Sequence, residues 1–337
     1  MSYLTFPSWI HPEIIPGVKI GTWYGLMYIF AFATTYLLLL HQIKKLKESK
    51  TDKIDPSIDI EQKENVNSLF TWAIIGLLLG ARLFSVLIYA ENRLYYWTHP
   101  WMIFWPFEGT QFVGLRGMSY HGGAIGAAVA VLIYCIKTKQ SFFAWADLIS
   151  AAIPLGYTFG RLGNFINQEL YGRVTTAPIG MLFNPPGMEK FLASKYPQAV
   201  EMANQLGISP YGFINLPRHP SQLYEALFEG IILWAILWFV VRRLKRYNGQ
   251  IFGSYLVGYG LFRFVIEYYR QPDSNLGYLI NFTKKEFSSW DLASYHPIGA
   301  ISMGQILCFI MMLIGLTFIL VPIFITRNKK TKSIPEA

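Results

Sequence analysis

Charge is what this chain has least of: 15% of its 337 residues are Asp, Glu, Lys or Arg, against roughly 25% in soluble domains. That deficit, with a 53% hydrophobic content, excludes a disordered, solvated chain. Cysteine is nearly missing. Cys135 and Cys308 cannot build a disulfide framework, and no CxxC or Cys/His cluster offers a zinc site. Both lie in apolar runs with no base nearby in sequence, where inert packing is the expected role. There is no GxSxG elbow, no P-loop and no HExxH spacing, so the usual serine-hydrolase, nucleotide and metalloprotease signatures are absent.

What the chain has is apolar length. A bilayer core about 30 Å thick takes roughly 20 helical residues. Seven runs approach that: 20–40, 69–90, 118–136, 147–168, 225–241, 251–269 and 301–326. The fourth is the most polar, with Pro154, Arg161, Asn164 and Asn167. The expected fold is an all-α integral membrane protein, a single polytopic domain of seven transmembrane helices. Of 29 Lys and Arg, 16 fall in 42–67, 137–146, 242–250 and the tail 327–337. Ten occupy the longer alternate segments, and Arg82, Arg161 and Arg263 lie within spans. The positive-inside rule then puts the N-terminus outside and the C-terminus in the cytoplasm. The net charge of +9 faces anionic membrane lipids, and no nucleic acid is expected as a partner. The first 19 residues hold one basic residue, Lys19, and no small-residue cleavage site, so the first helix is expected to be the insertion signal. No internal repeat supports a two-halved transporter.

Three segments are expected outside the membrane. An arm over about 91–117 is dense in Trp and Tyr, residues suited to the headgroup layer. A head covers about 170–220, rich in Pro, Gly, Asn and Tyr, and a further loop about 270–300. Together they could surround a substrate entering from outside.

Ionisable groups inside spans cost about 2.5–3.5 kcal/mol each on insertion scales, so each needs a reason. Arg263 and Glu267 are one helical turn apart, and Tyr259 and Arg270 extend the stripe in both directions. An ion pair tying helices together is the plainer explanation. The segment GRLGNFINQELYGR is more telling: Arg161, Asn164 and Gln168 are expected on one helical face, broadened by Asn167 and Glu169. A guanidinium beside amides suits an oxyanion, because its planar fork donates two parallel hydrogen bonds; a polar seam between helices is the alternative. In MSYHGG, His121 opens the third span, and Gly122, Gly123 and Gly126 permit close approach to it. A helix cap or interface histidine is the alternative there. RHPSQLYE adds Arg218, His219, Gln222, Tyr224 and Glu225 at the outer end of the fifth span.

These segments together resemble the bacterial prolipoprotein diacylglyceryl transferase family nearly end to end. The carriers are WYGLMY (Trp23 to Tyr28), GMSYHGG (Gly117 to Gly123), GRLGNFINQELYGR (Gly160 to Arg173), RHPSQLYEALFEG (Arg218 to Gly230), GYGLFRFVIEYYRQPD (Gly258 to Asp273) and ISMGQ (Ile301 to Gln305). The fourteen-residue segment is the family signature. Two departures stand out. Arg116 replaces the first of a usual Gly-Gly pair, and Ser274 to Ala300 is longer than the pattern, though it is expected to touch no motif.

The resemblance implies a multi-pass enzyme of the bacterial inner membrane with external arm and head regions. It implies transfer of the diacylglyceryl group of phosphatidylglycerol to the lipobox cysteine of a preprolipoprotein signal peptide. A thioether forms, glycerol 1-phosphate leaves, and neither cofactor nor metal takes part. On this footing Arg161 and Arg263 are expected at the lipid phosphate, and Tyr24, Asn164, Tyr259 and Gly172 around the headgroup. Glu169 and Glu267 would hold the arginines, and His121 would take the thiol proton. Alternatively, an arginine-rich field alone lowers the thiol pKa and His121 is structural. A lipid transporter, an intramembrane protease and a scaffold are the other classes. The protease lacks its equipment, since Asp147 is the only span aspartate and lies at the cytoplasmic end.

Overall fold

The computed structural model describes residues 3–15, 21–48, 63–90, 92–108, 111–112, 117–185, 188, 190–272, 277–283 and 286–332. Lys19, Arg116, Ser274, the stretch 49–62 and the last five residues fall outside the described residues. The helices in chain order are α1 (Trp23–Glu48), α2 (Lys63–Phe84), α3 (Arg93–Thr98), α4 (Tyr120–Thr138), α5 (Phe142–Ser150) and α6 (Ile153–Ile166). Then come α7 (Pro197–Leu206), α8 (Ser221–Val241), α9 (Gln250–Ile266), α10 (Ser289–Ser294) and α11 (Met303–Lys332). Among the described residues the strands are few and short, and pair in twos.

Among the described residues, four segments are long and apolar enough to cross a membrane: Trp23–Leu46, Asn65–Ile88, Ser221–Val241 and Met303–Pro322. The pair α5 and α6 makes a fifth if it counts as one span bent by 49°. Gly122–Thr138 and Gln250–Ile266 are apolar but shorter. One continuous helix over 147–168 is therefore corrected. The chain turns at Ala151 and Ala152, and Pro154 sits in the first turn of α6, where its missing N–H costs no helical hydrogen bond.

The chain divides into two compact units, residues 39–146 and the remainder. In the first, α2 and α4 pack backbone to backbone. A Cβ on Gly80 would lie 2.3 Å from the Gly122 carbonyl oxygen, and one on Gly126 2.2 Å from that of Gly76. Two small-xxx-small stripes thus replace the side-chain layer. The Ser119 hydroxyl caps α4 by accepting from the Gly122 amide at 3.2 Å. Arg82 is buried at the end of α2, where its Nε donates to the Ile103 carbonyl at 2.5 Å and Nη1 to that of Gly117 at 3.4 Å. Around α3, Leu94, Trp97, Trp101 and Trp105 are exposed.

The other unit contains the stretch 170–220. Strand β1 (Leu4–Thr5) pairs parallel with Met181–Leu182, and Phe6 joins Met181, Phe183 and Met188 in a small core. A second core contains Val174, Phe191, Ala199, Ala203, Ile214 and Leu216, together with Trp290 and Ala293 from α10. Two residues of the stretch 270–300, Trp290 and Ala293, are thus part of the same core as residues of the stretch 170–220. Strand Tyr278–Asn281 pairs antiparallel with Ala300–Ser302 and leads into α11. At the other end of this unit, Asp147 accepts from the Gly249 and Phe252 amides at 3.0 and 2.8 Å and pairs with Lys245 at 2.9 Å. The start of α9 is thereby tied to α5.

Candidate functional site

Arg161 projects from α6, Glu225 and Glu229 from α8, and Arg263 from α9; all four belong to one unit. Glu225, fully buried, bridges the two guanidiniums. Its Oε2 lies 2.8 Å from Arg161 Nε, and its Oε1 2.6 Å from Arg263 Nη1. Glu229, also fully buried, lies 3.9 Å from Arg263 and accepts from the Tyr157 hydroxyl at 2.5 Å. That hydroxyl in turn accepts from Arg161 Nε. Arg263 Nη2 reaches Glu267 at 3.2 Å, and Glu267 accepts from the Ser302 hydroxyl at 2.9 Å. Two guanidiniums therefore face three carboxylates inside an apolar bundle. Removing one partner of such a cluster leaves a buried charge uncompensated, typically at a cost of about 3–5 kcal/mol.

Along α6, Arg161 Nη1 donates to Asn164 Oδ1 at 3.2 Å, and Asn164 Nδ2 donates to Glu169 Oε1 at 2.7 Å. The Glu169 carbonyl accepts from Gln222 at 2.6 Å. Tyr24 lies within interaction range of Asn164 and Glu169, and its hydroxyl is 3.0 Å from that of Tyr28. The geometry offers two charged forks from different helices around one oxyanion, with amide and phenol groups beside them. A second oxyanion between the arginines would meet donors already aimed at it.

Several of the residues expected at the site lie together. Arg161, Asn164, Glu169 and Tyr24 are neighbours, as are Arg263 and Glu267. The Tyr259 ring meets Tyr157 edge-on at 5.8 Å. Others are corrected. Glu169 holds the Asn164 amide, and the carboxylate on Arg161 is Glu225. The common face of Arg161, Asn164 and Gln168 breaks because α6 ends at Ile166; Gln168 has φ +53° and its Oε1 accepts from the Asn184 amide instead. The polar stripe likewise ends at Glu267, the C-cap of α9, and Arg270 lies beyond, bridged through its backbone to Gly172. Gly172 itself is demanded by packing: a Cβ there would lie 2.3 Å from the Tyr269 carbonyl. His121 falls in the first turn of α4, in the other unit, and its side chain lies outside the described residues.

Tyr157, Glu225 and Glu229 were not expected as site residues. The available signal was two acids one turn apart in an otherwise apolar run. Among the described residues no group of three or more His, Cys, Asp or Glu is placed to hold a metal. Outside the spans, His219 shares a hydrogen bond with the Tyr224 hydroxyl at 3.0 Å, and burial, then Arg173, push its pKa below the ordinary imidazole value.

A family model described as prolipoprotein diacylglyceryl transferase matches residues 13–321. A protein of Treponema pallidum (strain Nichols) called phosphatidylglycerol–prolipoprotein diacylglyceryl transferase is 48% identical over 326 residues, 94% of each chain. One of the same name from Treponema denticola is 46% identical over 98% of this chain and 96% of that protein. Another from Campylobacter jejuni (serotype O:23/36) is 37% identical over 89% and 88%.

Proposed function

Because the chain belongs to the prolipoprotein diacylglyceryl transferase family and is a transferase, we propose that it moves the diacylglyceryl group of phosphatidylglycerol onto the lipobox cysteine of a preprolipoprotein. The cysteine thiol gives up its proton, with His121 as the base that takes it; its sulfur attacks the glyceryl carbon that bears the phosphate, a thioether C–S bond forms, and the C–O bond breaks. The electron pair stays on the phosphate oxygen, so a singly charged diester leaves as the more highly charged glycerol 1-phosphate. The sulfur comes from the substrate, consistent with Cys135 and Cys308 being buried. The setting is the bacterial inner membrane, crossed seven times with the N-terminus outside. The partners are the lipid and the signal peptide, with no nucleic acid and no cofactor.

The observation that carries this reading is the convergence of Arg161 and Arg263 on one oxyanion, that of Glu225. A lipid phosphate bound there would gain stabilisation as its charge grows, which is where electrostatic catalysis acts. Asn164 and Tyr24 would orient headgroup oxygens, Glu169 would hold Asn164, and Glu267 would steady Arg263. Tyr259 and the Gly172 turn would bound the headgroup space.

The test is mass spectrometry of a lipobox peptide incubated with the purified protein and phosphatidylglycerol. A gain of one diacylglyceryl group on cysteine, with glycerol phosphate released, is expected. An unmodified peptide, with a control transferase active in the same mixture, would point to lipid transport instead. For His121, general-base catalysis is worth about 10²–10⁴-fold, so His121→Ala should lose that much at pH 7. Near-normal rates would leave thiol activation to the arginine field.

A further inference from the structure

The external stretch from Ser274 to Ala300 was expected to touch no motif. Its described residues touch two. Arg173, the last residue of the signature segment, is 2% exposed and donates to the Tyr268 carbonyl at 3.2 Å. Its Nη1 donates to the carbonyls of Leu292 and Tyr295, the latter at 2.9 Å. His296, in the same stretch, places Nε2 3.1 Å from Gln305 Oε1 in the ISMGQ segment. The same oxygen accepts from the Ser302 amide at 3.1 Å, while the Ser302 hydroxyl accepts from the Gln305 amide and donates to Glu267. Glu267 holds Arg263. Hydrogen bonds thus run from an external imidazole to Glu267, and an ion pair completes the line to the intramembrane guanidinium.

The proton count on His296 follows from these partners. The Ser302 amide can only donate, so it fixes the Gln305 side chain with its oxygen towards the histidine. Nε2 must then carry a hydrogen. Nδ1 faces the Pro297 carbonyl, an acceptor with no hydrogen to give, at 3.2 Å. A neutral ring therefore sets lone pair against lone pair at Nδ1, and an added proton turns that conflict into a second hydrogen bond. Other groups weigh in. Burial and Arg173 resist the proton and hold the pKa below the ordinary imidazole value, while Glu267, Gln305 and the Pro297 carbonyl favour it. The Tyr268 and Tyr278 rings pack on the imidazole at 4.4 and 5.0 Å.

We infer that His296 is a positioning residue for Arg263, acting through Gln305, Ser302 and Glu267. A proton gained at His296 draws Glu267 towards the external end and frees Arg263 for an anionic phospholipid headgroup. The inference rests on the reading of Arg263 as a phosphate ligand. Its effect is a tighter grip on the anion as pH falls below the ordinary imidazole range.

The experiment measures phosphatidylglycerol affinity of the full chain in detergent from about pH 7.5 to about pH 5, the span over which histidine is the side chain that ordinarily changes charge. Transfer to the lipobox peptide is followed in parallel. Affinity of the unaltered protein should rise about fivefold across that range, at the low end of ordinary site-to-site coupling. His296→Gln keeps a donor for Gln305 without a titrating group, and should bind at pH 7.5 like the unaltered protein with a flat profile. His296→Phe, which loses the donor, should bind weakly at every pH. An unchanged slope in His296→Gln overturns the inference, as does a flat profile or no binding in the unaltered protein. PH-dependent binding without transfer leaves the inference standing and sinks the transferase reading.

Discussion

Helices α2 and α4 in one unit and helices α6, α8 and α9 in the other are apolar over most of their length, yet they are joined by opposite means. The first pair meets through the glycine stripes of Gly76, Gly80, Gly122 and Gly126. Its one buried guanidinium, Arg82, donates to backbone carbonyls. The second group meets around Arg161, Arg263, Glu225, Glu229 and Glu267. Helices in lipid need no ions to associate, since close packing suffices. Five ionisable side chains where glycines would serve therefore call for a reason beyond fastening, although the ions fasten too. The plain reading and the functional one describe the same contacts.

The comparison breaks most sharply at Arg263. Arg263→Ala should lower transfer per folded molecule by about 10²–10³-fold, the usual loss of one preorganised donor. Arg263→Lys should recover little, because a point charge cannot serve Glu225 and Glu267 with a planar fork. If alanine retained full activity in the peptide assay, the ions would be fastening alone. Gly126→Leu probes the other side. Overpacking there should cost about 1–3 kcal/mol, visible as a lower melting temperature in detergent, while transfer per folded molecule holds. A selective loss of transfer would show that α2 and α4 also shape the site. The smallest effect belongs to Tyr157→Phe, which removes one hydroxyl between Arg161 and Glu229. It should cost about 1.5 kcal/mol, the low end for a hydrogen bond to a charged group, read by the same melt.

The two regions also differ in how far the sequence disclosed them. Arg161, Arg263 and Glu267 stood out because each is expensive where it lies, and Asn164 and Glu169 followed from their spacing. Glu225 and Glu229 did not. Glu225 stands at the edge of its apolar run, where an acid needs no special explanation, and Glu229 lies within that run without interrupting it. The π-helical stretches Ala226–Ile232 and Ile236–Val241 further blur the face such acids share. Gln168 was misplaced because no glycine or proline marks the end of α6. The break at Ala151 was missed because two alanines carry no turn signal. Least legible was the head, whose short strands have no periodicity and whose core draws Trp290 and Ala293 from far along the chain.

The carboxylate of Asp147 acts at the end of α9 opposite the ions. By accepting from Gly249 and Phe252 it pins the start of that helix, and Arg263 stands 11 residues beyond Phe252. At 1.5 Å per residue that is about 16 Å along the axis. The pin therefore works as a depth gauge. A slip of one turn, about 5.4 Å, would carry Arg263 out of reach of Glu225, so an aspartate far from the ion cluster sets the level along the helices at which the guanidinium meets its carboxylate.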